Sequence, residues 1–324
     1  MGPWQSVAIG KREDQMSQKI QVVLEEESLR DGLLAESRLL GLTEKMQVVR
    51  LLKDAGIRRL QLGSFGHPRT VPQMANTDVL VSLARREFPE LLCTALVPNE
   101  KGLERAVHCG LGLASMAVAV SDSYSLRSVG RSAGEALELT LALVGAAVRA
   151  GVRARAEVQC AFGCVFEGAI PEITVMETVG QLVEAGAAEI CLADTAGLAS
   201  PLQVGRLVAQ VRTTYPAVEL SLHLSDTRGL GLVNIYAGFV AGVRLFSVAA
   251  GGLGASPVIA GASGNVAGED AVNLFHGMEV ATGIDLAALC RVVQYYETLL
   301  DRKLPGRMNL VLHSQPEALA KLGF

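Results

Sequence analysis

The sequence predicts an α/β chain folded as a (β/α)8 TIM barrel with extra C-terminal helices. Three observations predict it. Short apolar runs rich in β-branched residues alternate with longer helical patterns, as in βαβ units with a parallel sheet. Eight such runs can be counted, and polar residues recur where the runs end, the position at which barrel enzymes carry their functional groups.

The runs place strands near 20–24, 58–62, 92–96, 114–119, 153–159, 188–192, 219–223 and 245–249. Helices fill the gaps. Thr43-Glu44-Lys45-Met46 reads as a helix start and Ala55-Gly56 as its glycine stop. Ser200-Pro201 and Pro171-Glu172 read as starts with proline at the first helical position. A doubly wound open sheet would need a glycine-rich phosphate turn after its first strand. Glu25 to Asp31 is the wrong chemistry for that turn, so the barrel is preferred. Residues 1–18 are expected to be a disordered N-terminal extension, with Met16 a candidate start, and 19–324 one barrel domain whose tail after Thr282 adds one or two helices.

Half of the 324 residues are hydrophobic and only 4% are aromatic, so Leu, Val, Ala and Ile must build the core, and they suit a barrel interior and its surrounding helices. A net charge of −4 with no basic run longer than a dipeptide argues against nucleic acid as a partner. No stretch reaches the roughly 18–20 uninterrupted apolar residues that span a bilayer. The six scattered cysteines lack zinc-ribbon or CxxC spacing, which points to a reduced, cytoplasmic setting. Cys160 and Cys164 are expected to be buried structural residues, and His67, His108, His276 and His313 have no motif around them.

Read at the strand exits, the polar set is Arg30 and Asp31, Gln61, Asn99, Cys160, Asp194 and Thr195, His223 and Asp226, then Asn265. Asp31, His223 and Asn265 offer carboxylate, imidazole and amide oxygen, a mostly hard donor set that suits Mg²⁺ or Mn²⁺. Gly251-Gly252-Leu253-Gly254 lacks the spacing of a dinucleotide-binding turn.

Arg30-Asp31-Gly32 after Val22-Val23-Leu24, with Ser221-Leu222-His223-Leu224-Ser225-Asp226 and Gly261-Ala262-Ser263-Gly264-Asn265, resembles the metallolyase barrel family that includes 3-hydroxy-3-methylglutaryl-CoA lyase. The resemblance runs from about Gln21 to the last helices and includes Val71-Pro72-Gln73-Met74, Pro98-Asn99-Glu100-Lys101-Gly102 and Phe166-Glu167-Gly168. It implies a divalent metal at Asp31, His223 and Asn265, with Ser225 at the place of a second histidine. It implies that Arg30 holds the thioester oxygen as it becomes an enolate, and that Asp194 helps handle the substrate hydroxyl proton. It also marks Gln61 where the lyases carry a glutamate and Ser256 where they carry the cysteine of a mobile loop, Gly251 to Gly254 being part of that loop. Neither an amide nor an aliphatic hydroxyl exchanges protons readily at neutral pH. Asn99, Thr195 and Arg228 are candidate substrate-binding residues.

The activity so implied is carbon–carbon cleavage of a β-hydroxy acyl thioester or related β-hydroxy acid, with altered site chemistry and weak turnover of the family's standard substrate. The alternatives are a Claisen-type enzyme joining an acyl-CoA to an α-keto acid, and a silent barrel with a binding role. The implied partners are a small-molecule thioester and, as relatives with this barrel commonly pair through their outer helices, a second copy in a homodimer.

Overall fold

The computed structural model describes residues 22–256, 258–259, 261–262 and 264–314, the side chain of His313 excepted. The expected N-terminal extension, the start of the first predicted strand, Pro257 and Ser263 lie outside the described residues. Eight parallel strands close into a barrel in chain order: β1 Val23–Glu26, β2 Arg59–Ser64, β3 Leu92–Leu96, β4 Leu113–Ala119, β5 Arg153–Gln159, β6 Glu189–Asp194, β7 Glu219–Leu224 and β8 Leu245–Val248. The ring closes where Val23 of β1 registers with Leu245 of β8. The first strand sits a few residues later than its apolar run suggests, because Glu25 and Glu26 follow that run and carry the strand on.

The outer layer is α1 Leu42–Asp54, α2 Thr77–Glu87, α3 Glu100–His108, α4 Asp122–Val129, α5 Ala133–Arg149, α6 Glu172–Glu184, α7 Pro201–Thr214, α8 Gly231–Val240 and α9 Gly268–Gly277. Among the described residues two further helices, α10 Leu286–Leu300 and α11 Arg307–Ser314, form the tail. Two helix starts differ from expectation. α1 begins one residue before Thr43, with Gly41 at the cap and the Glu44 carboxylate accepting from the Gly41 amide at 2.8 Å. Pro171 sits just outside α6 rather than inside its first turn. At α7 the Ser200 hydroxyl accepts from the Gln203 amide at 3.4 Å, with Pro201 in the first turn.

The aliphatic core lies between strands and helices; Leu60, Val118, Val158, Ile190 and Leu222 meet Leu52, Val81, Val144, Val179 and Leu207 in one buried cluster. The barrel's own interior is not the branched-aliphatic core that composition suggested. Glu25, Arg59, Thr94, Ser115, Arg155, Glu189 and Ser221 are all buried there. Arg59 reaches Glu25 at 2.9 Å and Glu189 at 2.8 Å, crossing from β2 to β6. Arg155 on β5 bonds Glu25 on β1 and Ser115, the latter at 3.1 Å. Inward positions alternate along each strand, so polar residues on that period fill the middle while their apolar neighbours face the helices. Among the described residues no helix is long and apolar enough to cross a membrane.

Candidate active site

The chain leaves β1 in a single π-helical turn, Ser28–Gly32, in which the amides of Arg30, Asp31 and Gly32 all point at the Glu27 carbonyl, at 3.0, 2.8 and 3.2 Å. Turns of this kind are frequent at functional sites. The glycine is needed because a Cβ on Gly32 would lie 2.9 Å from the Cβ of Leu253 in the loop after β8. That loop and the following one fold back together. The Ser225 and Asn265 backbones form a bridge, and the Asp226 amide bonds the Gly264 carbonyl at 3.1 Å. Gly264, at φ +101°, passes so close to Gly254 that a Cβ would come within 2.3 Å of its carbonyl oxygen.

These turns bring Arg30, Asp31, His223, Ser225, Asn265, Thr195 and Ser256 to the wall of one cavity of about 190 Å³ at the C-terminal mouth of the barrel. Tyr124, Ser128, Glu157 and Gln159 complete its polar lining. Arg30 is buried and donates from each nitrogen: Nε to Gln61 Oε1, Nη1 to Asp31 at 2.6 Å, Nη2 to Glu27 at 2.7 Å. A guanidinium has five N–H donors. One on each terminal nitrogen therefore remains for a ligand oxygen.

Burial would raise the Glu27 carboxyl, but Arg30, His223 and Arg155 outweigh it and hold it well below the usual carboxylate range. The same contacts act on His223. Burial alone would disfavour its charge, yet Glu27, whose carboxylate lies 3.4 Å from Nδ1 in an ionic contact rather than an aligned hydrogen bond, pushes the imidazole up to about 9, with help from Glu157 and Asp31.

Four of the expected site residues face other tasks. Burial pushes the Asp194 carboxyl up to about 6, although it accepts from the Leu198 and Ala199 amides at 2.7 and 3.1 Å. Both oxygens thus hold the loop after β6, which makes Asp194 a loop anchor in this geometry. Asn99 caps α3, accepting from the Gly102 amide at 2.9 Å, and lies in a neighbouring groove with Lys101 and Arg131. Arg228 binds the carbonyls of Gly197 and Leu198 at 2.7 and 2.6 Å. Gln61 sits beneath the cavity as an acceptor for Arg30, and its Nε2 has no hydrogen-bond partner among the described residues. Thr195 lines the cavity while its hydroxyl accepts at 2.9 Å from the amide of Cys160, a residue whose backbone φ is 59°. The six cysteines are buried and unbridged.

Asn265 Nδ2 donates to Asp31 Oδ2 and to the Leu253 carbonyl, both at 2.9 Å, which leaves its Oδ1 free to turn toward a cation. Asp31, His223, Asn265 and Ser225 share one cavity wall, yet among the described residues no three His, Cys, Asp or Glu side chains gather as a metal cluster. One carboxylate, one imidazole and two neutral oxygens fit a hard divalent ion that takes its remaining ligands from water and substrate.

Sequence reasoning did not single out Glu27, Glu157 or Tyr124. The available signal was polar alternation, Arg155, Glu157 and Gln159, in a strand expected to be buried.

Comparison with known proteins agrees with this architecture. The HMGL-like family model matches residues 21–295. The (R)-citramalyl-CoA lyase of Chloroflexus aurantiacus is 36% identical over 286 residues, 86% of this chain and 90% of that protein. The hydroxymethylglutaryl-CoA lyase of Pseudomonas mevalonii is 36% identical over 266 residues, 81% and 87% of the two chains. An HMG-CoA lyase structure from Acinetobacter baumannii, in complex with coenzyme A and 3-methylmalate, superposes with a TM-score of 0.84 at 32% identity, covering 89% of this chain and 94% of that one. The barrel with its polar mouth, and these likenesses along most of its length, place the chain in the HMGL-like family.

Proposed function

We propose that the protein is a carbon–carbon lyase that cleaves a β-hydroxy acyl-CoA thioester by a retro-aldol route. The observation that carries this reading is Arg30. It is fixed at the barrel mouth by three acceptors, with two N–H groups left over, beside a candidate metal site in a chain related to acyl-CoA lyases. Breaking the bond between the α and β carbons puts negative charge on the thioester oxygen. A preorganised guanidinium that cannot deprotonate stabilises that charge as it develops. A divalent ion, held by Asp31, His223 and Asn265 with Ser225 nearby, would supply Lewis-acid polarisation of substrate oxygens when bound. Thr195 and Ser256 shape the cavity, while Asp194, Asn99 and Arg228 support it through the loops they tie. Cytoplasmic homodimers acting on a small thioester, without nucleic acid or membrane, complete the reading.

The test is product analysis with a panel that includes hydroxymethylglutaryl-CoA and citramalyl-CoA. Cleavage of at least one substrate to a shorter acyl-CoA and a carbonyl product is expected, with kcat falling about 10²–10³-fold in Arg30→Lys, because the forked geometry is lost. A panel left intact by folded, metal-supplied protein would overturn the reading.

A further inference from the structure

Glu157 lies on β5 two residues after Arg155 and on the same inward face. It is only 4% exposed and lines the cavity with Arg30, His223 and Ser256. Its Oε1 accepts from Gln159 Nε2 at 3.3 Å, whereas Oε2 is buried with no hydrogen-bond donor among the described residues. A buried acceptor left without a donor is costly, so a donor from a ligand would stabilise it.

The other carboxylates near the reacting position are already engaged. Asp31 takes Arg30 on one oxygen and Asn265 on the other. Glu27 takes Ser247 at 2.8 Å on one oxygen and Arg30 on the other. Asp194 is held by two backbone amides. Gln61 cannot take a proton. The one uncommitted carboxylate oxygen on this wall belongs, among the described residues, to Glu157.

We infer that Glu157 is the catalytic carboxylate that binds the β-hydroxyl of the substrate and takes its proton as the carbon–carbon bond breaks. The inference rests on the lyase reading above. The O–H bond breaks and the proton passes to Glu157 Oε2; the oxygen forms the carbonyl of the leaving product. The electron pair of the broken carbon–carbon bond becomes the thioester enolate beside Arg30. The enolate carbon then takes a proton from water, and Glu157 returns its own proton to the hydroxide so formed.

Two uncleavable thioether analogues of a β-hydroxy acyl-CoA, one with the hydroxyl and one without, separate binding from turnover. Calorimetry on the metal-supplied protein should show the hydroxylated analogue bound at least tenfold more tightly, as expected for a hydrogen bond to a carboxylate. Glu157→Ala should lose that preference while keeping its affinity for the deoxy analogue, which also reports that the variant is folded. Glu157→Gln should keep KM within a few-fold and lose about 10²–10⁴-fold in kcat, the range of general-base contributions. Equal binding of the two analogues by the unaltered protein, or unchanged kcat in Glu157→Gln, would overturn the inference and leave the lyase reading standing. A hydroxyl preference without cleavage of any thioester would instead sink the lyase reading and keep Glu157 as a binding residue, which overturns its proton-accepting role.

Discussion

At position 256 a hydroxyl lines the cavity and accepts from the amides of Val258 and Ile259, at 3.2 and 3.1 Å. It holds a turn, but an aliphatic hydroxyl does not donate a proton at neutral pH as a thiol with a pKa near 8.5 does. Ser256→Cys should therefore raise kcat on the best substrate by about tenfold or more if protonation of the enolate limits turnover. Steady-state rates of the two proteins decide this, and equal rates would show that water already supplies the proton. Arg30, Asp31, His223, Ser225 and Asn265 were readable because they sit in recognisable short segments at strand exits or in the loops that follow them. Glu27, just past the end of β1, and Glu157, inside β5, were not, because a glutamate in either place reads locally as a charge needing a partner. Whether that partner is Arg155 or a ligand depends on four strands meeting in space.

At the scale of elements, the eight strands were readable from the alternation of short apolar runs with helical patterns, and their boundaries moved by three residues or fewer. The loops were harder, since a polar residue at a strand exit can serve chemistry or the backbone. The loop after β6 shows the difference. Asp194, Arg228 and Asn234 all bond its amides or carbonyls; Asn234 Nδ2 reaches the Ala199 carbonyl at 3.2 Å. Asp194→Ala should cost about 1–3 kcal/mol of stability, as buried amides are left without acceptors. Urea midpoints measure this. A large loss of kcat with an unmoved midpoint would return Asp194 to the chemistry.

Across the whole molecule the charges divide into two classes with opposite responses to pH. Glu27 is held low by its cationic neighbours, so it contributes stability above the ordinary carboxylate range that is lost as pH falls through its folded value. Glu26 and Glu269 behave the other way. Burial pushes Glu26 up to about 7, although the amides of Ala250 and Ser28 bond it. Burial also pushes Glu269 up to about 8, against the Gly251 amide that it accepts from at 2.9 Å. Each joins the loop after β8 to the rest of the barrel. An unfolded glutamate releases its proton near 4.5, while the folded Glu269 keeps it to about 8. Folding therefore takes up a proton in that window, so the stability that Glu269 contributes below pH 4.5 is lost as pH rises to 8, after which it changes no further. Glu269→Gln keeps an acceptor for Gly251 and removes the ionisation. It should leave the melting temperature nearly unchanged at pH 5 and raise it by a few degrees at pH 8.5. Thermal melts of both proteins at the two pH values measure the difference. An equal shift at both would mean that Glu269 carries its charge in the folded barrel, and that the loop after β8 is anchored by an ion rather than by a neutral carboxyl.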